Sequence, residues 1–100
     1  MTIKLVKRPP NGAELWLEGK MDTASAPAAQ EAFLKVADEY PNVTLNFSKL
    51  IYVSSAGLRT LLVLQKRVNR TGGSLTLTNV NPSIMEVLEI SGFSGILTIV

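Results

Sequence analysis

The sequence predicts an α/β domain: a mixed four- to five-stranded sheet with helices packed on it, in the order β-β-α-β-α-β-α-β. Three observations lead there. Apolar residues alternate at period two in "TIKLVKR", "AELWLEG", "VTLNF" and "SLTLTNV", the pattern of strands with one buried side. Between the later strands they recur at helical spacing, over stretches long enough to carry the chain back across a sheet. Hydrophobic residues form 46% of the 100 residues and charged ones 18%, enough for one core and too apolar for disorder. Residues 1–100 are therefore read as a single domain.

The elements follow in order. Ile3 and Leu5 alternate in the first strand, and "RPPNG" is a turn. Leu15 and Leu17 then oppose Glu14, Trp16 and Glu18 in a second strand, which makes a hairpin with the first. "MDTASAPAAQEAFLKVADEY" is helical. Asp22, Thr23 or Ser25 can cap it, Pro27 fits only its first turn, and Ala29, Phe33, Val36, Ala37 and Tyr40 form its inner face. Val43, Leu45 and Phe47 mark a third strand, and "SKLIYV" leads on to "SSAGLRTLL". A second helix is expected from Ala56 to about Asn69, burying Leu58, Leu61, Leu62, Gln65 and Val68, with "TGG" as its C-terminal stop. "SLTLTNV" is the fourth strand. Ser83 is expected to cap a short third helix carrying Ile84, Val87 and Leu88, and "GILTIV" is the last strand. Strands joined through helices should be parallel with right-handed crossovers, so the opening hairpin makes the sheet mixed.

Composition removes whole classes of chemistry. There is neither cysteine nor histidine, so disulfides, thiolate or imidazole metal sites and imidazole catalysis are excluded, and no metal or cofactor is expected. Net charge is +2, with the ten Lys and Arg scattered; no basic stripe with interleaved aromatics predicts direct nucleic-acid binding. The N-terminus lacks the apolar segment of a secretory signal. No apolar run approaches the ~18 residues of a membrane span, so a soluble, cytoplasmic domain without membrane insertion is expected.

"SSAG" does not read as a catalytic serine. A nucleophilic serine needs a base in hydrogen-bond reach, a nucleophile elbow has a glycine before the serine, and "TGGS" precedes a strand where phosphate cradles precede a helix. No enzyme activity and no catalytic residue are expected. Spacing alone assigns Ser55 as a helix N-cap, with Ala56 and Gly57 small so that the first turn can pack closely on a strand.

The blocks "LEGKMDTASAPAAQEAF", "NFSKLIYVSSAGLRTLL" and "GGSLTLTNVNPSIMEVLEISGF" together resemble the STAS domain of bacterial anti-sigma-factor antagonists, over nearly the whole chain and in the same order. The resemblance implies a partner-switching regulator. Ser55 matches the serine that a cognate kinase phosphorylates, and Asp22 the acidic residue beside the phosphorylated loop. Thr23, Ser54, Ala56, Gly57 and Arg59 complete the implied partner-binding surface. Ser54 stands where many members carry aspartate, one negative charge fewer. The implied partners are an anti-sigma factor that is also a serine kinase, bound when Ser55 is unphosphorylated and released by its phosphorylation, and a metal-dependent serine phosphatase. Two alternatives are a STAS regulatory subunit of an ABC-type lipid-transport complex, and a nucleotide- or anion-sensing STAS domain using the helix N-terminus. Family members continue past the last strand into an amphipathic helix. The sequence here stops at Val100: either the final helix is trimmed away, or a smaller version of the fold leaves that strand partly uncovered, which would invite a homodimer.

Overall fold

The computed structural model describes residues 1–100. Five strands, β1 (Thr2–Arg8), β2 (Gly12–Met21), β3 (Asn42–Val53), β4 (Ser74–Thr78) and β5 (Thr98–Ile99), form one sheet in sequential order. β1 pairs antiparallel with β2, and the later neighbours are parallel. Three helices, α1 (Ala26–Glu39), α2 (Ser55–Thr71) and α3 (Pro82–Ile90), form the crossovers. Because the strand order never reverses, crossovers of one hand place every helix on the same face of the sheet.

Period-two alternation builds the core on that face. Ala13 and Leu15 lie beside Val43 and Leu45, which lie beside Leu75 and Leu77, all buried. Phe33 of α1 and Leu61, Leu64 and Val68 of α2 close over them. The opposite face carries no helix and is mostly polar, with Lys4, Arg8, Glu14, Trp16, Thr44, Asn46, Thr76 and Thr78 on it. There Asn46 is buried with its needs met: Nδ2 donates to Glu14 Oε2 (3.2 Å), while Oδ1 accepts from the Ser48 N–H (2.9 Å) and Asn79 Nδ2 (3.2 Å).

The order of elements is the one expected; the differences lie in details that packing sets. β3 continues through "SKLIYV" to Val53 and holds two residues more than the stretch of β2 it pairs with. Gly12 faces Asn42 and Met21 faces Val53, with register shifts after Trp16 and after Gly19. Such bulges break alternation, so Leu50 and Val53 are both buried while Ile51 and Tyr52 between them are 65% and 49% exposed. α2 turns its Gly57, Thr60, Leu61, Leu64, Gln65 and Val68 face inward, and Leu58 and Leu62 are only half-buried. Met21 is core and Met85 half-buried. α3 is capped by Asn81, whose Oδ1 accepts the Ile84 N–H (2.8 Å), and not by Ser83; Pro82 takes the first helical position. Val87 of α3 is exposed. "GILTIV" contributes a two-residue strand after a 3₁₀ turn at Phe93–Gly95, because Leu97 turns into the core. No helix is long and apolar enough to cross a membrane.

Candidate functional site

β2 and β3 are parallel neighbours, so their C-terminal ends open at one edge of the sheet. There the Ser54 N–H donates to the Met21 carbonyl (2.9 Å), tying the loop after β3 to the end of β2. That bond sets Asp22 and Thr23 beside the first turn of α2, bringing together residues about thirty positions apart in the chain.

Ser54, and not Ser55, is the N-cap of α2. Its backbone is extended (φ −86°, ψ 177°), its Oγ accepts the Gly57 N–H (3.2 Å), and its carbonyl accepts the Leu58 N–H (2.9 Å). Both serines have the chemistry of a cap, typically worth about 1 kcal/mol over alanine; the bond to Met21 selects the first. Aspartate and serine cap about equally well, so serine at position 54 keeps the cap and leaves the helix start without a negative charge. Ser55 is thereby relieved of capping. It occupies the first helical position, exposed, and its hydroxyl has no partner within the chain.

Gly57 explains the small residues of the motif. A Cβ there would sit 2.6 Å from the Met21 carbonyl oxygen and 3.0 Å from Met21 Cγ and Val53 Cγ1. Only glycine lets the first turn of α2 lie directly on the end of β2. Gly72 closes the helix in the left-handed conformation (φ 77°), as "TGG" implied.

Asp22 organises its own loop. Oδ1 accepts the Ser25 (3.0 Å) and Ala24 (3.1 Å) N–H groups, with Ser25 Oγ 3.2 Å away. Ser25 Oγ also accepts the Asp22 N–H (2.9 Å) and donates to the Lys20 carbonyl (2.8 Å). The Ser25 backbone N–H, first among these donors, holds the Asp22 carboxyl below its ordinary 3.8. A depressed folded-state pKa means that the ionised form contributes stability. This contribution is complete above the unfolded-state value and is lost as pH falls through the folded one. The Tm difference between wild type and Asp22→Ala should therefore be constant near neutrality and shrink below about pH 4. Thermal melts at stepped pH check this; a gap that widens in acid would contradict it.

Next to Ser55, the N-terminal turns of α1 and α2 flank an open hollow of about 400 Å³, lined by Thr23, Pro27, Gln30, Ala56, Arg59 and Thr60 among others. Of the residues singled out from the sequence, Thr23, Ala56 and Arg59 line it, Ser55 lies exposed beside it, and Gly57 lies buried beneath. The Asp22 carboxylate is turned to its own loop. Pro27 and Gln30 were not anticipated; they stand three residues apart on α1, a spacing that puts them on one side of the helix. Arg59 makes no ion pair and stands in the first turns of α2, where a cation opposes the helix dipole. That site favours an anion.

Known proteins share the sequence pattern and the fold of this chain. The profile of the STAS domain family matches residues 4–100. BtrV of Bordetella bronchiseptica, named as an anti-sigma factor antagonist, is 36% identical over 81 residues, covering 80% of this chain and 70% of its own. The anti-sigma-B factor antagonist of Bacillus subtilis is 28% identical over 94 residues, covering 94% and 86%. The fold matches the anti-sigma factor antagonist SpoIIAA in its unphosphorylated form at a TM-score of 0.78 and 16% identity, over 99% of this chain and 87% of that one. Its phosphorylated form matches at 0.76 and 17%, over 99% and 91%. At such identities the structural likeness speaks for the fold alone. With the family profile spanning nearly every residue and the relatives aligning through the same loop and helix, the chain belongs to the STAS domain family, among the anti-sigma factor antagonists.

Proposed function

We propose that this chain is a partner-switching regulator whose switch is phosphorylation of Ser55. Unphosphorylated, it docks a kinase-type anti-sigma factor over the start of α2; phosphorylated, it lets that partner go, and a metal-dependent serine phosphatase resets it. Both partners would be met in the cytoplasm. The reading is carried by one observation: Ser55 is an exposed hydroxyl at the first helical position, free because Ser54 does the capping.

The physics of the added group supports it. A phosphate brings about −1.5 to −2 charges. At the start of α2 it meets unsatisfied backbone N–H groups and the positive end of the dipole, and Arg59 stands one turn on, at i+4. The domain itself should accept the charge. That SpoIIAA resembles this chain about equally in both of its forms fits the same expectation. The cost falls on a partner, which would have to cover the phosphate and the apolar Ile51 and Tyr52 near it. In this reading the chain is a binding partner and a kinase substrate, with no catalysis of its own.

Incubation with the cognate kinase and ATP should add one phosphate, mapped to Ser55 by peptide mass spectrometry and missing from Ser55→Ala. Modification of Ser54, or of Ser55→Ala to the same extent, would end the proposal.

A further inference from the structure

A second groove, of about 370 Å³, lies on the face of the sheet that no helix covers. Its floor is Trp16, half-buried, with Val6 beside it on β1. Lys4 sits directly across the antiparallel pair from Trp16, and Lys49 sits across the parallel pair from Glu18. Arg8 also borders the groove, but its guanidinium is bonded to Glu14, so that charge is already balanced. Glu14 in turn is held by Asn46 Nδ2, which fixes the wall on that side. Lys4 and Lys49 form no ion pair and no hydrogen bond, and Glu18 is the only other unpaired charge there. Two uncommitted ammonium groups thus flank an accessible indole, with one carboxylate against them.

We infer that this groove binds a small organic anion with a flat ring. The ring lies on the Trp16 indole and the Val6 side chain, and the acidic group sits between Lys4 and Lys49. An aromatic floor supplies stacking area and the lysines supply charge-assisted hydrogen bonds; neither alone selects for a ligand carrying both features. The volume is at the small end of ligand sites, which run from about 300 to 1,000 Å³. It suits a fused ring with one acidic group, such as an aryl carboxylate or a nucleoside monophosphate, and it is too small for a dinucleotide. The groove is on the face of the sheet opposite to α2, so this binding is independent of the proposed Ser55 switch.

Trp16 is the single tryptophan of the chain, so its indole N–H gives one resonance that reports on this groove alone. The 100-residue chain, labelled with ¹⁵N, would be titrated separately with adenosine monophosphate and 2-naphthoate, with adenosine and inorganic phosphate as half-ligands. A saturable indole shift at sub-millimolar concentration is expected from at least one of the two anions, and the one that responds identifies the acidic group preferred. Neither half-ligand should saturate the site in that range. Lys4→Gln combined with Lys49→Gln should weaken binding about tenfold, which is about 1.4 kcal/mol, with an unchanged circular dichroism spectrum. Ser55→Glu should bind as wild type does, which separates failure here from failure of the switch. Absence of a saturable shift from both anions, equal binding of adenosine, or full affinity in the double lysine variant would each overturn the assignment.

Discussion

Replacing Ser55 with glutamate should lower affinity for the proposed partner, a kinase-type anti-sigma factor, on the order of 100-fold, by the penalty for leaving a charge unpaired in an interface. Folding stability should be unchanged or slightly higher. The two effects have opposite signs for one reason. At the first position of α2 a carboxylate is favoured by the helix dipole, by about 0.3–1 kcal/mol. The same carboxylate pressed under a partner loses its water and gains no new cation. Ser55→Ala should bind like the wild type, since the hydroxyl has no partner within the chain and the cap is Ser54. Calorimetric titration of wild type, Ser55→Ala and Ser55→Glu against the partner, with thermal melts of each, makes the measurement. A glutamate variant that binds as tightly as wild type would remove the electrostatic basis of the proposed switch.

Gly57→Ala should destabilise the domain by about 2 kcal/mol, a typical overpacking cost, although alanine is the better helix former. Helix propensity favours alanine by up to about 1 kcal/mol, and less in a first turn. Against that, the new Cβ meets the Met21 carbonyl oxygen at 2.6 Å, a backbone atom that cannot rotate aside. The clash outweighs the propensity, and for a domain of this size the Tm should fall by roughly 10 °C. The relief available is a tilt of the α2 start away from β2, which would carry Ser55 with it. Kinase modification should therefore slow in this variant even below its melting temperature. An unchanged or raised Tm would show that the α2–β2 contact is looser than described.

Much of this molecule was legible in the residues. Alternating strands, the hairpin, the parallel crossovers and the stop at Gly72 follow from period, turn chemistry and backbone preference, all encoded within a few neighbouring positions. So does the tight junction between β3 and α2. Small residues at a strand-to-helix junction announce a close approach, and the structure supplies its counterpart in the Met21 carbonyl. The absence of cysteine and histidine excluded imidazole and thiolate chemistry before any fold was known.

Other features depend on where distant segments meet. Two adjacent serines have equal capping chemistry, and only the hydrogen bond from Ser54 to the end of β2 assigns one as the cap and leaves the other free. The inward face of α2 is set by Gly57 and Thr60 lying against the sheet. The hydrophobic spacing finds Leu61, Gln65 and Val68 on that face, adds the half-buried Leu58 and Leu62, and omits Gly57, to which it gives no weight. The bulges in β3 arise from its pairing with β2 and put Ile51 and Tyr52 outside, where alternation within the strand itself offers no sign of them. The groove at Trp16 depends on β1 pairing and on every crossover having the same hand. Local sequence sets the period and ends of each element, because those forces act between near neighbours. Rotation, register and the choice between equivalent groups are settled by contacts between residues far apart in the chain, and these exist only once it has folded.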